Sequence, residues 1–257
     1  MKAKWALITG ASAGIGRELA VLFAADGFSL VLVARNEARL REAASQFEAA
    51  HRTQSRVLAK DLAKAGAPAE IFEATRDVPI SVLVNNAGFG TFGPFAQTDL
   101  APQTGVMQTN MVALAQLTHL FLQPMLARRE GRVLNVASTA AFQPGPLMNI
   151  YYASKAFVYS FSYALANELA GTGVTVTALC PGATRTEFFE RARMRPRQGW
   201  PMMEARRAAE AGYRGLMKGK RVVIPGLFNT MLSFFAKRTP PRLSSAVVRR
   251  INEGARG

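Results

Sequence analysis

Cysteine and histidine are scarce in this sequence of 257 residues, which contains one cysteine and two histidines. A single thiol forms no intramolecular disulfide, so the chain folds without that cross-link and fits a reducing, intracellular setting. Cys180 ends the apolar stretch VTVTALC and is predicted to be a buried thiol rather than a nucleophile. His51 and His119 stand apart and match no metal-ligand spacing, so no metal site is expected.

Long apolar runs are also missing. No stretch approaches the roughly 20 apolar residues that a membrane-spanning helix needs. The first residues, MKAKWALITG, enter an apolar strand at once and leave no room for a signal peptide. These features predict a cytoplasmic protein. Its 49% hydrophobic and 19% charged residues are typical of a globular chain.

Acidic residues are few, with 17 against 32 basic ones, and the net charge is +15. Residues 185–257 hold 17 of the basic and 5 of the acidic residues, so this third of the chain carries +12. Such a region can meet nucleic acid, an anionic membrane or an acidic substrate, or it can keep the protein soluble. No nucleic-acid-binding motif accompanies the charge, so a nucleic-acid partner is not expected.

Short apolar stretches rich in β-branched residues alternate with longer stretches of helical periodicity. Strands that are apolar throughout and separated by helices predict a doubly wound α/β fold, with a parallel sheet covered by helices on both faces. We expect one domain: residues 1–226 as the catalytic part, with a substrate segment at about 187–220, and 227–257 as a basic C-terminal helical extension. Strands are predicted at 5–10, 29–35, 56–61, 81–86, 132–138, 174–180 and 221–226, and helices at 15–26, 37–51, 100–129 and 151–170.

The first strand leads into TGASAGIGRELA, where Gly10, Gly14 and Gly16 stand at a strand-to-helix turn. Glycines at such a turn let the backbone approach a pyrophosphate, whose charge the N-terminus of the next helix stabilises. A turn that simply needs positive φ is the alternative explanation. The position at the first strand–helix turn favours a dinucleotide site.

Five motifs occur together in this chain: TGASAGIG, NNAG at 85–88, Ser138, YYASK, and PGATRT at 181–186. In this order and spacing, over residues 5 to about 190, the chain resembles a short-chain dehydrogenase/reductase. The resemblance implies a Rossmann-type sheet of seven strands, a nicotinamide cofactor, and a homodimer or homotetramer. It also implies a reaction centre made of Asn110, Ser138, Tyr151 and Lys155.

The spacing within IYYASKAF suits proton transfer. Lys155 follows Tyr151 by four residues, so both side chains lie on one face of a helix. A nearby ammonium favours the phenolate, which predicts a lowered pKa for Tyr151 and a role as general acid/base. Ser138, at the end of the fifth strand, would polarise the substrate carbonyl. By resemblance, Asn110 would hold a water that relays protons from Lys155.

Tyr152 also lies within reach of Lys155, three residues away. The family pattern YxxxK and the sequence separation of 13 positions from Ser138 select Tyr151 instead. Because Tyr152 points about 100° further around the helix, we expect it to pack or to contact a subunit.

The cofactor is predicted from the end of the second strand, where Ala34 and Arg35 replace the acidic residue that is usual in NAD-dependent relatives. Arg35, assisted by Ser12, can pair with a 2′-phosphate, which favours NADPH and leaves NAD as the alternative. By resemblance, the cofactor contacts are Gly10, Ser12, Gly14, Ile15, Gly16, Arg35, Asp61, Leu62, Asn86, Ala87, Gly88, Tyr151, Lys155, Pro181, Gly182, Thr184 and Thr186.

The predicted substrate walls, residues 89–95, 141–150 and the segment after Thr186, are apolar with few charges. They indicate a small apolar or lipid-like ketone. We therefore expect an NADPH-dependent reductase, reversible as a dehydrogenase. A dinucleotide-binding sensor without turnover is the alternative, although it would have no need of the serine, tyrosine and lysine together.

The C-terminal extension contains a second pattern. Phe228, Met231, Leu232 and Phe235 repeat at helical spacing and predict one apolar stripe, with Lys237 and Arg238 following. The stripe would pack on the core or on a second subunit. Alternatively, together with the basic residues, it would contact an anionic membrane peripherally.

Overall fold

The computed structural model describes residues 4–195, 199 and 201–255. Strands and helices alternate along most of the chain. The strands are β1 (Trp5–Thr9), β2 (Ser29–Ala34), β3 (Ser55–Ala59), β4 (Ile80–Asn85), β5 (Gly131–Val136), β6 (Val174–Leu179), β7 (Thr184–Arg185), β8 (Met203–Glu204) and β9 (Val222–Val223). The α-helices are α1 (Gly14–Ala25), α2 (Glu37–His51), α3 (Ala67–Glu73), α4 (Leu100–Met107), α5 (Leu114–Arg128), α6 (Asn149–Glu168), α7 (Phe188–Arg191), α8 (Ala205–Met217), α9 (Leu227–Ala236) and α10 (Pro241–Glu253).

Seven strands form one parallel sheet in the order β3-β2-β1-β4-β5-β6-β9. The chain winds outward from β1 in one direction and, starting at β4, in the other. In such sheets a crevice opens at the carboxyl ends of the strands where the order reverses. The doubly wound α/β fold predicted from the sequence is confirmed, and its topology places the crevice between β1 and β4.

The sheet is covered on both faces because alternate strand residues point to opposite sides. Ile8 of β1 packs with α1, α2 and α8, whereas its neighbour Leu7 packs with α3 and α5. Both side chains are fully buried. Two apolar layers therefore hold the sheet rigid beneath its carboxyl edge.

The structure differs from the predicted elements in three places. The predicted helix 100–129 is divided by a π-helix at Gln108–Ala113, a wide turn that is common at functional sites. The last strand is only two residues long, because Pro225 has no N–H with which to extend the pairing. Within the segment 187–220, α8 belongs to the core: its Gly212 and Gly215 let Leu179 and Val223 approach closely.

A buried polar network fixes α6 on the sheet. The Asn85 amide donates to Thr118 Oγ1 at 3.0 Å and to Asn135 Oδ1 at 2.9 Å. Asn135 in turn donates to Ser162 Oγ of α6 at 2.9 Å. Buried polar groups with partners of this kind specify one arrangement of the elements that carry them. The network thus sets the position of the helix that carries Tyr151 and Lys155.

The glycine turn after β1 is packed against the end of β4. Asn86 Nδ2 donates to the carbonyl oxygens of Thr9 at 2.9 Å and Gly10 at 3.2 Å. A Cβ atom at Gly16 would lie 2.3 Å from the Gly10 carbonyl oxygen and 2.4 Å from Asn86 Nδ2. Only glycine fits there, because α1 starts directly against the turn.

We therefore expect Gly16→Ala to lower the free energy of unfolding by about 1–3 kcal/mol, the usual cost of forcing extra atoms into a packed site. Gly66→Ala is the matched control. A Cβ atom at Gly66 would come no closer than 3.4 Å to the flexible Glu70 carboxylate, so a change below about 0.5 kcal/mol is expected. Urea denaturation measures both, and equal effects would contradict the packing argument.

Candidate active site

One cavity of about 590 Å³ opens at the carboxyl edge of the sheet. It brings together all but two of the residues proposed from the sequence. Gly16 and Asn110 stay behind its wall, Gly16 beneath the glycine turn and Asn110 behind Phe89. The predicted residues that line the cavity are Gly10, Ser12, Gly14, Ile15, Arg35, Asp61, Leu62, Asn86, Ala87, Gly88, Ser138, Tyr151, Lys155, Pro181, Gly182, Thr184 and Thr186.

The glycine turn forms one wall of this cavity. Gly10 and Gly14 have φ of 67° and 55°, a backbone conformation that other residues rarely adopt. α1 begins at Gly14, and its N-cap residue, Ala13, has no polar side chain to occupy the first N–H groups. Those N–H groups and the helix dipole suit a pyrophosphate. The turn therefore fits a dinucleotide.

Basic side chains surround the end of the cavity that contains the glycine turn. Arg35 is exposed there and makes no ion pair with any residue that the structure describes. Arg39 and Lys60 line the same end and are paired with Glu187 and Glu70. The sequence reasoning missed these last two cations. The signal for Arg39 is its position one helical turn after Arg35, and the signal for Lys60 is its position directly before Asp61.

Ser138, Tyr151 and Lys155 meet at the other end of the cavity. Ser138 lies two residues beyond β5, where its Oγ accepts from the Ala140 N–H at 3.1 Å and lies near Tyr151. The Lys155 ammonium lies 5.8 Å from the centre of the Tyr151 ring and donates to the Val136 carbonyl oxygen at 2.8 Å. The three groups form one wall, held by β5 and α6.

Burial controls the acidity of these groups. It raises the pKa of Tyr151 above its ordinary value, and the nearby Ser138 opposes the rise only in part. The lowered pKa predicted from the sequence is thus wrong for the protein alone, because desolvation of the phenol dominates. Burial also lowers the pKa of Lys155 to about 8. The phenol is therefore a stable proton donor beside a lysine that titrates near neutral pH.

Asn110, in the π-helix, is buried and fully engaged. Its Oδ1 accepts from the Phe89 N–H at 3.1 Å, and its Nδ2 donates to the Phe89 carbonyl at 3.0 Å and to Ser154 Oγ at 3.0 Å. These bonds fix the segment after β4 against α6. The proton relay through Asn110 stays a prediction, and the side-chain contacts describe a positioning residue.

Tyr152 has a different environment from its neighbour. Its ring packs directly on Gly145, where a Cβ atom would lie 2.1 Å from the ring. Its hydroxyl lies near Asn252 of α10, and burial raises its pKa. Asn252 also donates to the Pro146 carbonyl at 2.8 Å. Tyr152 thus links the reaction centre to α10, a wall of the cavity that the sequence reasoning missed.

The remaining wall is mostly apolar. Of the predicted substrate segments, the first contributes Phe89, whereas Phe95 is half exposed and outside the cavity. Cys180 is buried behind this wall, and burial raises the pKa of its thiol to about 12, so it is no nucleophile. The apolar side chains that line this end are Phe89, Met148, Phe188, Phe189, Met194, Met202, Leu232, Val247, Val248 and Ile251.

Comparison with known proteins gives a family match. A family model described as short chain dehydrogenase matches residues 4–196. A very-long-chain 3-oxoacyl-CoA reductase of Laccaria bicolor is 36% identical over 69% of this chain and 54% of its own length. A sulfoacetaldehyde reductase 2 of Chromohalobacter salexigens is 40% identical over 71% of this chain and 73% of its own length. The chain spans about half the length of the 3-oxoacyl-CoA reductases of Laccaria bicolor and Phaeosphaeria nodorum that it matches.

Solved structures agree over more of the chain. A short-chain dehydrogenase from Sphingobium yanoikuyae in complex with NADPH has a TM-score of 0.84 and 33% identity, covering 91% of this chain and 93% of that one. An alcohol dehydrogenase from Comamonas testosteroni, described as bulky-bulky ketone specific, has a TM-score of 0.79 and 31% identity, with the same coverage.

The buried ammonium yields a prediction about stability. The pKa of Lys155 is about 8 in the folded protein, below the roughly 10.4 of an exposed lysine. Below pH 8 the folded state therefore bears the whole free-energy cost of the buried charge. This cost disappears as the pH rises from 8 towards the pKa of the exposed lysine. Lys155→Met should stabilise the protein at pH 7 by about 2 kcal/mol, after allowing for the lost bond to Val136.

The gain should shrink when the same urea denaturation is repeated at a pH near 10. Lys64→Met serves as the control, because Lys64 is exposed and its replacement should change little at either pH. A Lys155→Met protein that is less stable than the parent at pH 7 would contradict the cost assigned to the buried ammonium.

Proposed function

The chain belongs to the short-chain dehydrogenase family, and we propose that it is an NADPH-dependent reductase of apolar ketones, reversible as a dehydrogenase of secondary alcohols. One observation carries the proposal: a single cavity joins the glycine turn and Arg35 at one end to Ser138, Tyr151 and Lys155 at the other. A dinucleotide held at the first end would reach the reaction centre. A sensor without turnover would have no use for this centre.

The chain's own residues account for the proton chemistry. Tyr151 donates its proton to the substrate oxygen as the carbonyl carbon is reduced, and Ser138 donates a hydrogen bond to the same oxygen. Burial keeps the phenol protonated at neutral pH, so its proton is available for this transfer. Lys155, with its pKa of about 8, can return a proton towards Tyr151. When bound, NADPH supplies the hydride, and its oxidised form adds a positive charge beside the phenol.

The proposed substrate is a bulky or lipid-like ketone. The wall beside Tyr151 is built from phenylalanine, methionine and aliphatic side chains, which favour an apolar ligand. The names of two similar proteins, a very-long-chain 3-oxoacyl-CoA reductase and a bulky-bulky ketone specific alcohol dehydrogenase, support this choice. NADPH oxidation measured against long-chain, bulky and short polar ketones tests it, and turnover of the polar ketones alone would contradict it.

We also propose that the protein is cytoplasmic and forms a homodimer or homotetramer. Val112, Phe157 and Tyr163 are exposed on the π-helix and α6, which are adjacent and offer an apolar face to a second copy. Analytical ultracentrifugation measures the assembly, and a monomer at micromolar concentration would contradict this part of the proposal.

The paired tyrosines can be separated by mutation. Tyr151→Phe removes the proton donor, so kcat should fall by about 10²- to 10⁴-fold while the Kd for NADPH changes little. Tyr152→Phe loses only the hydroxyl near Asn252 and should keep most of its kcat. Steady-state kinetics and fluorescence titration with NADPH provide the measurements, and equal loss of kcat in both variants would refute the assignment.

Arg35 should decide the choice of cofactor. Arg35→Ala should raise the KM for NADPH by about 10- to 100-fold, the loss expected for a charge-assisted hydrogen bond, and leave the KM for NADH nearly unchanged. Arg41→Ala is the matched control, because Arg41 lies on α2 and pairs with Glu37 at 2.5 Å. An unchanged ratio of the two KM values in Arg35→Ala would show that Arg35 does not contact the 2′-phosphate.

A further inference from the structure

The helix α9 presents its apolar side to the outside. At about 100° per residue, Leu227, Phe228, Met231, Phe234 and Phe235 fall in one stripe, and each is at least half exposed. The opposite side of the helix carries Ser233, which is 2% exposed. Amphipathic helices normally bury the apolar stripe and expose the polar side. The expectation that the stripe packs on the core is therefore wrong for the chain as the structure describes it.

Contacts on the inner side hold α9 in this orientation. Asn229 packs on Gly182, where a Cβ atom would lie 2.3 Å from its Oδ1, and it donates to the Pro225 carbonyl at 2.8 Å. Beyond the end of the helix, the Lys237 ammonium lies 4.2 Å from the centre of the Phe142 ring. Polar anchors at both ends thus fix the outward direction of the apolar stripe.

The helix α10 also carries exposed apolar residues, and both helices reach the cavity. Leu243 and Val247 of α10 are 58% and 50% exposed, and Val247 also lines the cavity. Leu232 of α9, next to the exposed Met231, lines it as well. We name these exposed residues the C-terminal apolar surface: Leu227, Phe228, Met231, Phe234, Phe235, Leu243 and Val247. It reaches the apolar wall of the cavity at Val247 and beside Leu232.

Positive charge accompanies this surface. Residues 227–257 contain six basic residues and one acidic residue, Glu253, which pairs with Arg249 at 2.9 Å. The Arg238 guanidinium stacks over the Phe234 ring at 3.6 Å, so a cation lies at the edge of the apolar stripe. Arg242 and Arg250 are exposed on α10. Apolar side chains with basic neighbours match the interface of an anionic bilayer.

We propose that the C-terminal apolar surface binds the surface of an anionic lipid bilayer, with α9 lying in the interface. A second copy of the chain fits less well, because a two-fold contact would bring the same positive patch against itself. No helix among the described residues is long and apolar enough to cross a bilayer, and interfacial binding requires none. The proposal stands without the reductase activity. Only its corollary, entry of a lipid-like ketone from the bilayer, rests on the proposed function.

Flotation of the full-length protein with vesicles tests the proposal. Vesicles of phosphatidylcholine with phosphatidylglycerol should bind the protein at low salt, whereas pure phosphatidylcholine should bind at least about tenfold less. Phe228→Glu/Phe235→Glu should lose at least about tenfold in binding to the anionic vesicles. Phe95→Glu/Leu100→Glu is the matched control, because both residues are also at least half exposed but lie outside this surface.

The charge is tested separately. Arg242→Glu/Arg250→Glu should lose at least about tenfold in binding, and Lys218→Glu/Lys220→Glu, with the same change in charge outside α9 and α10, should lose much less. All four variants should keep the parent's rate of NADPH oxidation with a water-soluble ketone. A parent without that activity would refute the reductase and leave the binding result valid.

Three results would overturn the proposal. The first is a failure of the parent protein to float with anionic vesicles. The second is binding of Phe228→Glu/Phe235→Glu to these vesicles as strong as that of the parent. The third is a change of oligomeric state in that variant, measured by sedimentation without vesicles. It would identify the C-terminal apolar surface as an interface between copies of the chain.

Discussion

The reaction centre depends on one buried charge, the Lys155 ammonium, which donates to a backbone carbonyl of β5 and forms no ion pair with a carboxylate of the described residues. A charge held in this way destabilises the fold, so the surroundings have to keep it in place. The Asn85–Asn135–Ser162 network does so by fixing α6 on the sheet, and Asn110 does so by fixing the segment after β4. Much of the polar interior of this protein thus serves to hold one lysine where it lowers stability.

The cavity has two ends with opposite chemistry, and different parts of the chain build them. The glycine turn, β2 and α2 supply N–H groups and cations for phosphate, whereas α7, α9 and α10 supply apolar side chains. Replacing the C-terminal helices would therefore alter the substrate end and leave the phosphate end intact. The family model matches residues 4–196, which include the whole phosphate end, and the relatives that this chain matches carry different substrate names.

The sequence predicted the sheet well, because fully apolar strands and their glycine turn are local signals, and motif spacing identified Ser138, Tyr151 and Lys155. It predicted the wrong direction for the pKa of Tyr151, because burial is a property of the folded site and not of helical spacing. It missed Asn252, which lies near Tyr152 although it is 100 positions further along the chain. The outward stripe of α9 was visible as a pattern, but only the structure shows which side of the helix faces the core.

The π-helix at Gln108–Ala113 also constrains how the chain can change in length. A π turn accommodates one residue more than an α turn, and each residue rotates a helix by about 100°. Deleting one residue here would restore regular α-helix but would turn Asn110 away from Phe89 or Leu117 away from the core. Point substitutions on the exposed side of this segment disturb neither contact. The segment therefore tolerates amino-acid substitutions on its exposed side but does not tolerate the insertion or deletion of a residue.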